Sequence, residues 1–178
     1  MRRLLAVLAL LALLGAAAAV VVTTQPAWYL RLRYPLRYEQ IIQGHARNYR
    51  LDPALLAAVI YQESKFRAGA VSKAGAIGLM QLTPETAKGI ALRTGGGRFQ
   101  VSDLYDPELN VRYGAWYLRH LLDEYHGDLR RTLAAYNGGQ GNVSRGRLFR
   151  ETADYVERVL TLRDRYRKAY ASLHQVDT

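Results

Sequence analysis

The sequence predicts an all-α protein, with one helical domain behind a single apolar N-terminal helix. Three observations predict it. First, three capping residues are each followed by proline: Asp52-Pro53, Thr83-Pro84 and Asp106-Pro107. A cap oxygen satisfies a free backbone N–H, and proline at the first helical position has no N–H to leave unpaired. Second, apolar residues after these marks recur at three- and four-residue spacing, which gathers them on one side of a helix. Third, no run alternates apolar and polar residues as a half-buried strand does. The 178 residues suffice for one domain with its own core.

Arg2 and Arg3 precede an uncharged run from Leu4 to Val22. At about 1.5 Å per residue it nearly crosses a hydrocarbon layer of about 30 Å. Residues 1–24 are therefore a signal anchor or a signal peptide. Ala16 to Ala19 offer a small-residue cleavage site. The run continues past them through Val22, with Trp28 and Tyr29 placed for the far interface, which favours the anchor. Arg2 and Arg3 orient the N-terminus inward, although Arg31, Arg33 and Arg37 oppose this from the other flank. In both cases the folded part is expected outside the cytoplasm. Residues 25–37 carry Pro26 and Pro35 without steady periodicity and read as a juxtamembrane linker. A domain over 38–172 and a tail over 173–178 complete the chain.

Within the domain, Tyr38, Ile41, Ile42, His45 and Tyr49 share one face of a helix ending near Arg50. The next helix starts at Asp52-Pro53, and Leu55, Leu56, Val59 and Ile60 define its apolar face. Gly69, Gly75 and Gly78 among small residues form a loop. Thr83-Pro84 starts a helix to about Leu92, broken by Thr94-Gly95-Gly96-Gly97, a connector or a flap beside a cleft. The helix from Asp106-Pro107 runs to about Tyr125, with Leu109, Tyr113, Trp116, Tyr117, His120 and Leu121 as its buried side. Asp128 caps a helix from Leu129 to about Tyr136, and residues 137–141 read as a turn. The last helix spans Thr152 to about Leu173, with Tyr155, Val159, Leu162 and Tyr166 inside. Arg158, Arg163, Arg165, Arg167 and Lys168 lie on its solvated basic face.

The net charge of +10 suits an anionic partner: nucleic acid, a membrane surface or a wall polymer. The absence of cysteine excludes disulfides and cysteine-ligated zinc or iron–sulfur centres. His45, His120, His126 and His174 show no close metal-ligand pair and read as surface or helix filler. No metal and no cofactor is expected.

The chemistry concentrates around Glu63. It falls four residues after Val59 and three after Ile60, so it continues the apolar face. A carboxylate there is either paired or forced toward its neutral form, and a raised pKa suits general acid catalysis near neutral pH. The plainer reading is an exposed helix end neutralised by Lys65 or Arg67. Other small signals accompany it: Glu63-Ser64, Gly78-Leu79-Met80-Gln81, Ala135-Tyr136-Asn137, and Tyr155 on the inward face of the last helix.

Taken together, these motifs resemble the soluble lytic transglycosylase (SLT) domain family, from about Tyr38 to Tyr170. Pro84-Glu85-Thr86-Ala87 and Asp103-Leu104-Tyr105-Asp106-Pro107 match its intervening segments. The resemblance implies a lysozyme-like fold and non-hydrolytic cleavage of the β-1,4 bond between N-acetylmuramic acid and N-acetylglucosamine in peptidoglycan. It implies Glu63 as the sole acid and base, and Ser64, Met80, Gln81, Tyr136, Asn137 and Tyr155 as residues around the glycan. Arg150 stands where the family has proline before Glu151-Thr152, and Gly138 where Ala-Tyr-Asn is often followed by alanine. The reading without a second carboxylate agrees: an internal C6 hydroxyl replaces the positioned water of a two-carboxylate glycosidase. Glu85, Asp103 and Asp106 sit at helix starts or turns, where acids serve structure. A water-using muramidase of the same fold and a non-catalytic envelope protein are the alternatives. No groove-reading motif supports a nucleic-acid partner. Glycan strands, and the membrane through the first helix, are the expected partners of a monomer in the cell envelope.

Overall fold

The computed structural model describes residues 1–147 and 149–173. His174 and nearly all of the tail assigned to 173–178 lie outside the described residues. Among the described residues there are helices and isolated bridges but no strand, so the all-α expectation holds. The helices are α1 (Arg2–Thr24), α2 (Ala27–Arg33), α3 (Glu39–Asn48), α4 (Pro53–Ser64), α5 (Pro84–Thr94), α6 (Pro107–Glu124), α7 (Leu129–Gly138), α8 (Gln140–Ser144) and α9 (Arg150–Ala169).

The marked starts form as caps. Asp52 Oδ1 accepts from the Ala54 amide at 2.9 Å, Thr83 Oγ1 from Thr86 at 3.2 Å, and Asp106 Oδ1 from Leu109 at 3.0 Å. α4 is the axis of the main core. Every residue from Pro53 to Ile60 is buried, not only the face that Leu55, Leu56, Val59 and Ile60 define. α3 and α9 pack on it, and α6 and α7 complete the core. A second, smaller core joins Ile77, Leu82, Ala87, Ile90, Ala91, Leu104 and Tyr113, so α6 serves both.

Several elements differ from the sequence reading. The segment 25–37 contains α2, whose Leu30 is 1% exposed against α9. Two turns are too short to display a period, so this helix was invisible in the pattern. α7 continues through Asn137 to Gly138, and α8 takes in Gln140 and Gly141, so only Gly139 of the expected turn lies outside a helix. α9 begins at Arg150 instead of Thr152, which is buried within its first turn. On α6, Tyr113 and Leu121 are buried, but Trp116, Tyr117 and His120 are only half-buried. These three line a cavity of about 230 Å³ with Glu85, Thr86, Arg93 and Gln140. The fully buried polar residue of that helix is Asn110. His45 is not filler either: it is 5% exposed, and its Nε2 lies 2.7 Å from Glu108 Oε1, tying α3 to α6.

Candidate active site

α4 ends where the site begins. Lys65 closes the helix in the left-handed conformation, φ 52°, and Glu63, in the last turn, faces a cavity lined by the 67–82 loop. Glu63, Arg67, Gly69, Ala70, Val71, Ser72 and Gln81 line an open cavity of about 630 Å³. Glu63 is the only carboxylate among these lining residues. Neither cation suggested as its neutraliser forms an ion pair with it among the described residues: Lys65 Nζ sits 4.1 Å from the centre of the Tyr61 ring, and Arg67 Nε donates to Ser64 O at 3.1 Å.

The partner of Glu63 comes from 92 residues away. The Tyr155 hydroxyl, on the inward face of α9, donates to Glu63 Oε1 at 2.6 Å. Tyr155 is itself 3% exposed, so its ring shields the carboxyl from water. Burial raises the Glu63 pKa from its ordinary 4.5 to about 7, while the Tyr155 hydrogen bond and the Lys65 charge pull the other way. Desolvation penalises the charged form, and here it outweighs both stabilising contacts. Burial also raises the Tyr155 and Tyr136 phenols well above their usual value, and the neighbouring Glu63 carboxylate raises both further. Both phenols remain protonated donors across the physiological range.

The loop opposite is held from below. Gly78 has φ +85°, and a Cβ there would lie 2.1 Å from Asn110 Nδ2 and 2.5 Å from Leu104 O, so only glycine fits. Asn110 Nδ2 donates to Ile77 O at 2.9 Å and to Leu104 O at 2.8 Å, and its Oδ1 accepts from the Met80 amide at 2.8 Å. One buried side chain thus fixes three backbone groups of the two loops that meet α6. Gln81, also left-handed at φ 50°, donates through Nε2 to Ala70 O at 3.2 Å and Gly78 O at 3.0 Å. It both lines the cavity and braces its wall.

Two expected glycan contacts take other roles. Ser64 is 1% exposed, and its hydroxyl lies within donating distance of Leu79 O, at 2.8 Å, and of Ile60 O, at 3.1 Å, its one proton shared between them. It ties α4 to the loop and cannot reach a ligand, because one residue past Glu63 on a helix turns inward by about 100°. Met80 is fully buried in the main core, and its thioether fills the space left by Gly114. Its backbone oxygen accepts from the Tyr136 hydroxyl at 2.9 Å. Met80 therefore positions Tyr136 instead of lining the cleft. Tyr136 packs on Tyr117 with ring centres 5.5 Å apart, and Asn137 is exposed at the end of α7, outside the cavity wall. The sequence reading missed Asn110 and Ser72. Ser72 lines the cavity, and its Oγ accepts from the Ala76 amide at 3.0 Å. An asparagine amid the apolar positions of α6 was a readable signal for the first; a serine in a loop of small residues gives none for the second.

A cleft with one protonatable carboxyl, buried phenols and an asparagine-braced loop, on an all-helical frame, is an arrangement suited to general acid and base chemistry. The chain belongs to the transglycosylase SLT domain family, whose model matches residues 40–156. It is 39% identical over 111 residues to a transglycosylase of Enterobacteria phage PRD1, covering 62% of this chain and 38% of that protein. It is 35% identical over 127 residues to the membrane-bound lytic murein transglycosylase F of Pseudomonas fluorescens, covering 68% of this chain and 24% of that protein. Its fold superposes with a TM-score of 0.73 and 32% identity on the crystal structure of an inactive mutant of the lytic transglycosylase Slt from Pseudomonas aeruginosa. That match covers 78% of this chain and 25% of the larger one. The chain thus spans about a quarter to two fifths of the relatives it matches.

Proposed function

We propose that this protein is a lytic transglycosylase of peptidoglycan, held at the outer face of a membrane by α1 and acting as a monomer. The observation that carries the reading is the Tyr155–Glu63 hydrogen bond of 2.6 Å in a cavity whose wall holds no other carboxylate. A pKa of about 7 keeps a large share of Glu63 protonated at neutral pH, which suits a general acid that must then serve as base.

The steps follow from that one group. Neutral Glu63 gives its proton to the glycosidic oxygen between N-acetylmuramic acid and N-acetylglucosamine, and the C1–O bond breaks. The resulting carboxylate accepts the proton of the muramic C6 hydroxyl as that oxygen bonds to C1. The products are an N-acetylglucosamine end with a free 4-hydroxyl and a 1,6-anhydro-muramic end, and Glu63 is protonated again. No water enters. Tyr155 orients the carboxyl throughout and stabilises its charged form midway. Gln81 and Ser72 offer polar contacts to the sugar, and Tyr136 and Asn137 flank the opposite side. No metal or other cofactor takes part in this scheme.

The names of the relatives support the substrate class, as does the Pseudomonas aeruginosa enzyme in which a glutamate-to-glutamine change gives an inactive mutant. Mass analysis of products from purified peptidoglycan tests the reading. Anhydro ends, one water lighter than reducing ends, are expected. Reducing ends alone identify a muramidase instead, and an intact polymer with a folded protein rejects an enzyme.

A further inference from the structure

α2 presents two opposite faces. Leu30 is 1% exposed against α9, while Trp28 and Leu32 are 56% and 78% exposed. Residues four apart on a helix lie within about 40° of each other, and residues two apart lie about 200° apart. Trp28 and Leu32 therefore form one bare apolar face pointing away from the domain. That face follows directly on α1, which ends at Thr24 and buries none of its residues.

The junction is not a free tether. Lys168 Nζ, on the last turn of α9, donates to Thr24 O at 2.6 Å. Arg31 Nε donates to Ala169 O at 2.7 Å. The Leu36 amide donates to the Tyr170 hydroxyl at 2.9 Å, and that hydroxyl donates to Tyr34 O at 3.0 Å. Arg165 Nη1 reaches the Tyr34 hydroxyl at 2.5 Å. The end of α1, the whole of α2 and the end of α9 are one packed unit. Arg31, Arg33, Arg37 and Lys168 are exposed on or beside it.

We propose that α2 is a collar resting on the membrane that α1 crosses, and that α9 is a strut fixing the height of Glu63 above it. Trp28 and Leu32 enter the boundary of the outward leaflet, continuous with the apolar surface of α1. Arg31, Arg33, Arg37 and Lys168 meet anionic phospholipid headgroups, each adding attraction near such a surface. The same contacts explain why basic residues follow the apolar run, against the usual charge bias. The strut sets a length. Tyr155, bonded to Glu63, and Lys168, bonded to Thr24, are thirteen residues apart on α9, about 20 Å along the axis and about 30 Å with both side chains extended. Glu63 is thereby confined to glycan within that layer. The reaction that supplies its substrate is a glycosyl transfer carried out at the same membrane face, and glycan in more distant wall is out of reach. This rests on the transglycosylase and anchor readings above.

Two measurements on the full chain in vesicles test it. In the first, Trp116→Phe leaves Trp28 as the sole tryptophan, and lipids brominated near the top of the acyl chain act as quenchers. Quenching of Trp28 is expected, stronger when phosphatidylglycerol is added to phosphatidylcholine, with the difference reduced by Arg33→Gln and Arg37→Gln. Unquenched emission in phosphatidylglycerol vesicles overturns the collar and points to a wall polymer as the partner of these cations. In the second, a glycan strand coupled to a vesicle phospholipid competes with the same strand free in solution. The coupled strand is expected to be cut faster by about tenfold or more, as for any reaction made local by tethering. Replacing Gln25-Pro26 with a stiff helical spacer of about 20 residues, about 30 Å long, removes that preference and leaves cleavage of the free strand unchanged. An equal preference with and without the spacer overturns the strut. If neither strand is cut, the transglycosylase reading has failed, and Trp28 quenching still decides the collar.

Discussion

The two faces of α9 carry two glutamate contacts with opposite electrostatic outcomes. On the inner face, Tyr155 meets Glu63, a carboxyl that burial drives up to about 7 despite a hydrogen bond and a nearby lysine. On the outer face, two residues on, Glu157 pairs with the Arg130 guanidinium of α7 in open solvent, and that pair holds its carboxyl below the usual range. Both glutamates have a good partner. Only one is largely removed from water. Removal of solvent, more than the presence of a partner, separates the raised carboxyl pKa of Glu63 from the lowered one of Glu157.

The largest effect is expected of Glu63→Gln. It keeps the size and the Tyr155 contact but has no proton to give, and glycan cleavage is expected to fall by about 10³-fold or more. Near-normal turnover by the folded variant removes Glu63 from its role. The same variant tests the burial argument through stability. A folded-state pKa raised from 4.5 to about 7 means that the fold favours the protonated form. Wild-type stability is then undiminished below pH 4.5 and declines as pH rises toward 7. Glu63→Gln should therefore match wild type at pH 4 and exceed it at pH 8, by about 2 kcal/mol after allowance for partial exposure. Thermal melts at both pH values measure this, and a gap that is equal at both removes the pKa argument.

Tyr155→Phe is next in size. It frees the carboxyl to rotate, and about a tenfold loss of kcat/KM is expected. It also removes a contact that lowers the Glu63 pKa, so the alkaline limb of the pH–rate profile should move above 7. A lower rate with an unmoved limb makes Tyr155 a packing residue only. Asn110→Ala acts on the fold beneath the site. It leaves Ile77 O, Leu104 O and the Met80 amide without their buried partner, a loss of about 3 kcal/mol and about 10 °C in Tm. A shift within error shows that water replaces the carboxamide. The smallest effect belongs to the outer face: Glu157→Gln should leave Tm and cleavage rate unchanged, and a measurable drop in either upsets the contrast with Glu63.

Much of the architecture was legible in the sequence because its signals are local. A capping side chain and its proline act within one turn, so Asp52, Thr83 and Asp106 announced their helices before any packing was known. The position of Glu63 after Val59 and Ile60 announced a carboxyl in greasy surroundings, and Tyr155 was legible as an inward residue of α9. What failed depended on direction or on short length. Ser64 and Met80 belong to the right motifs, yet both side chains turn into the protein, and a motif does not state which way its members point. α2 is only two turns long, and its place was set by α9 and not by its own pattern. Trp116, Tyr117 and His120 share the expected face of α6, but that face looks partly into a cavity instead of wholly into core.

The sequence alone determined the helices that open on a capping residue and proline, and that one acid sits at the end of an apolar helix, since these follow from contacts within a few residues. Only the tertiary structure decided that Tyr155 meets that acid across 92 residues, that Asn110 braces the facing loop, and that the end of α9 grips the end of α1. Such contacts are made by packing between distant segments, and local spacing carries no record of which side chains that packing will bring within hydrogen-bond distance.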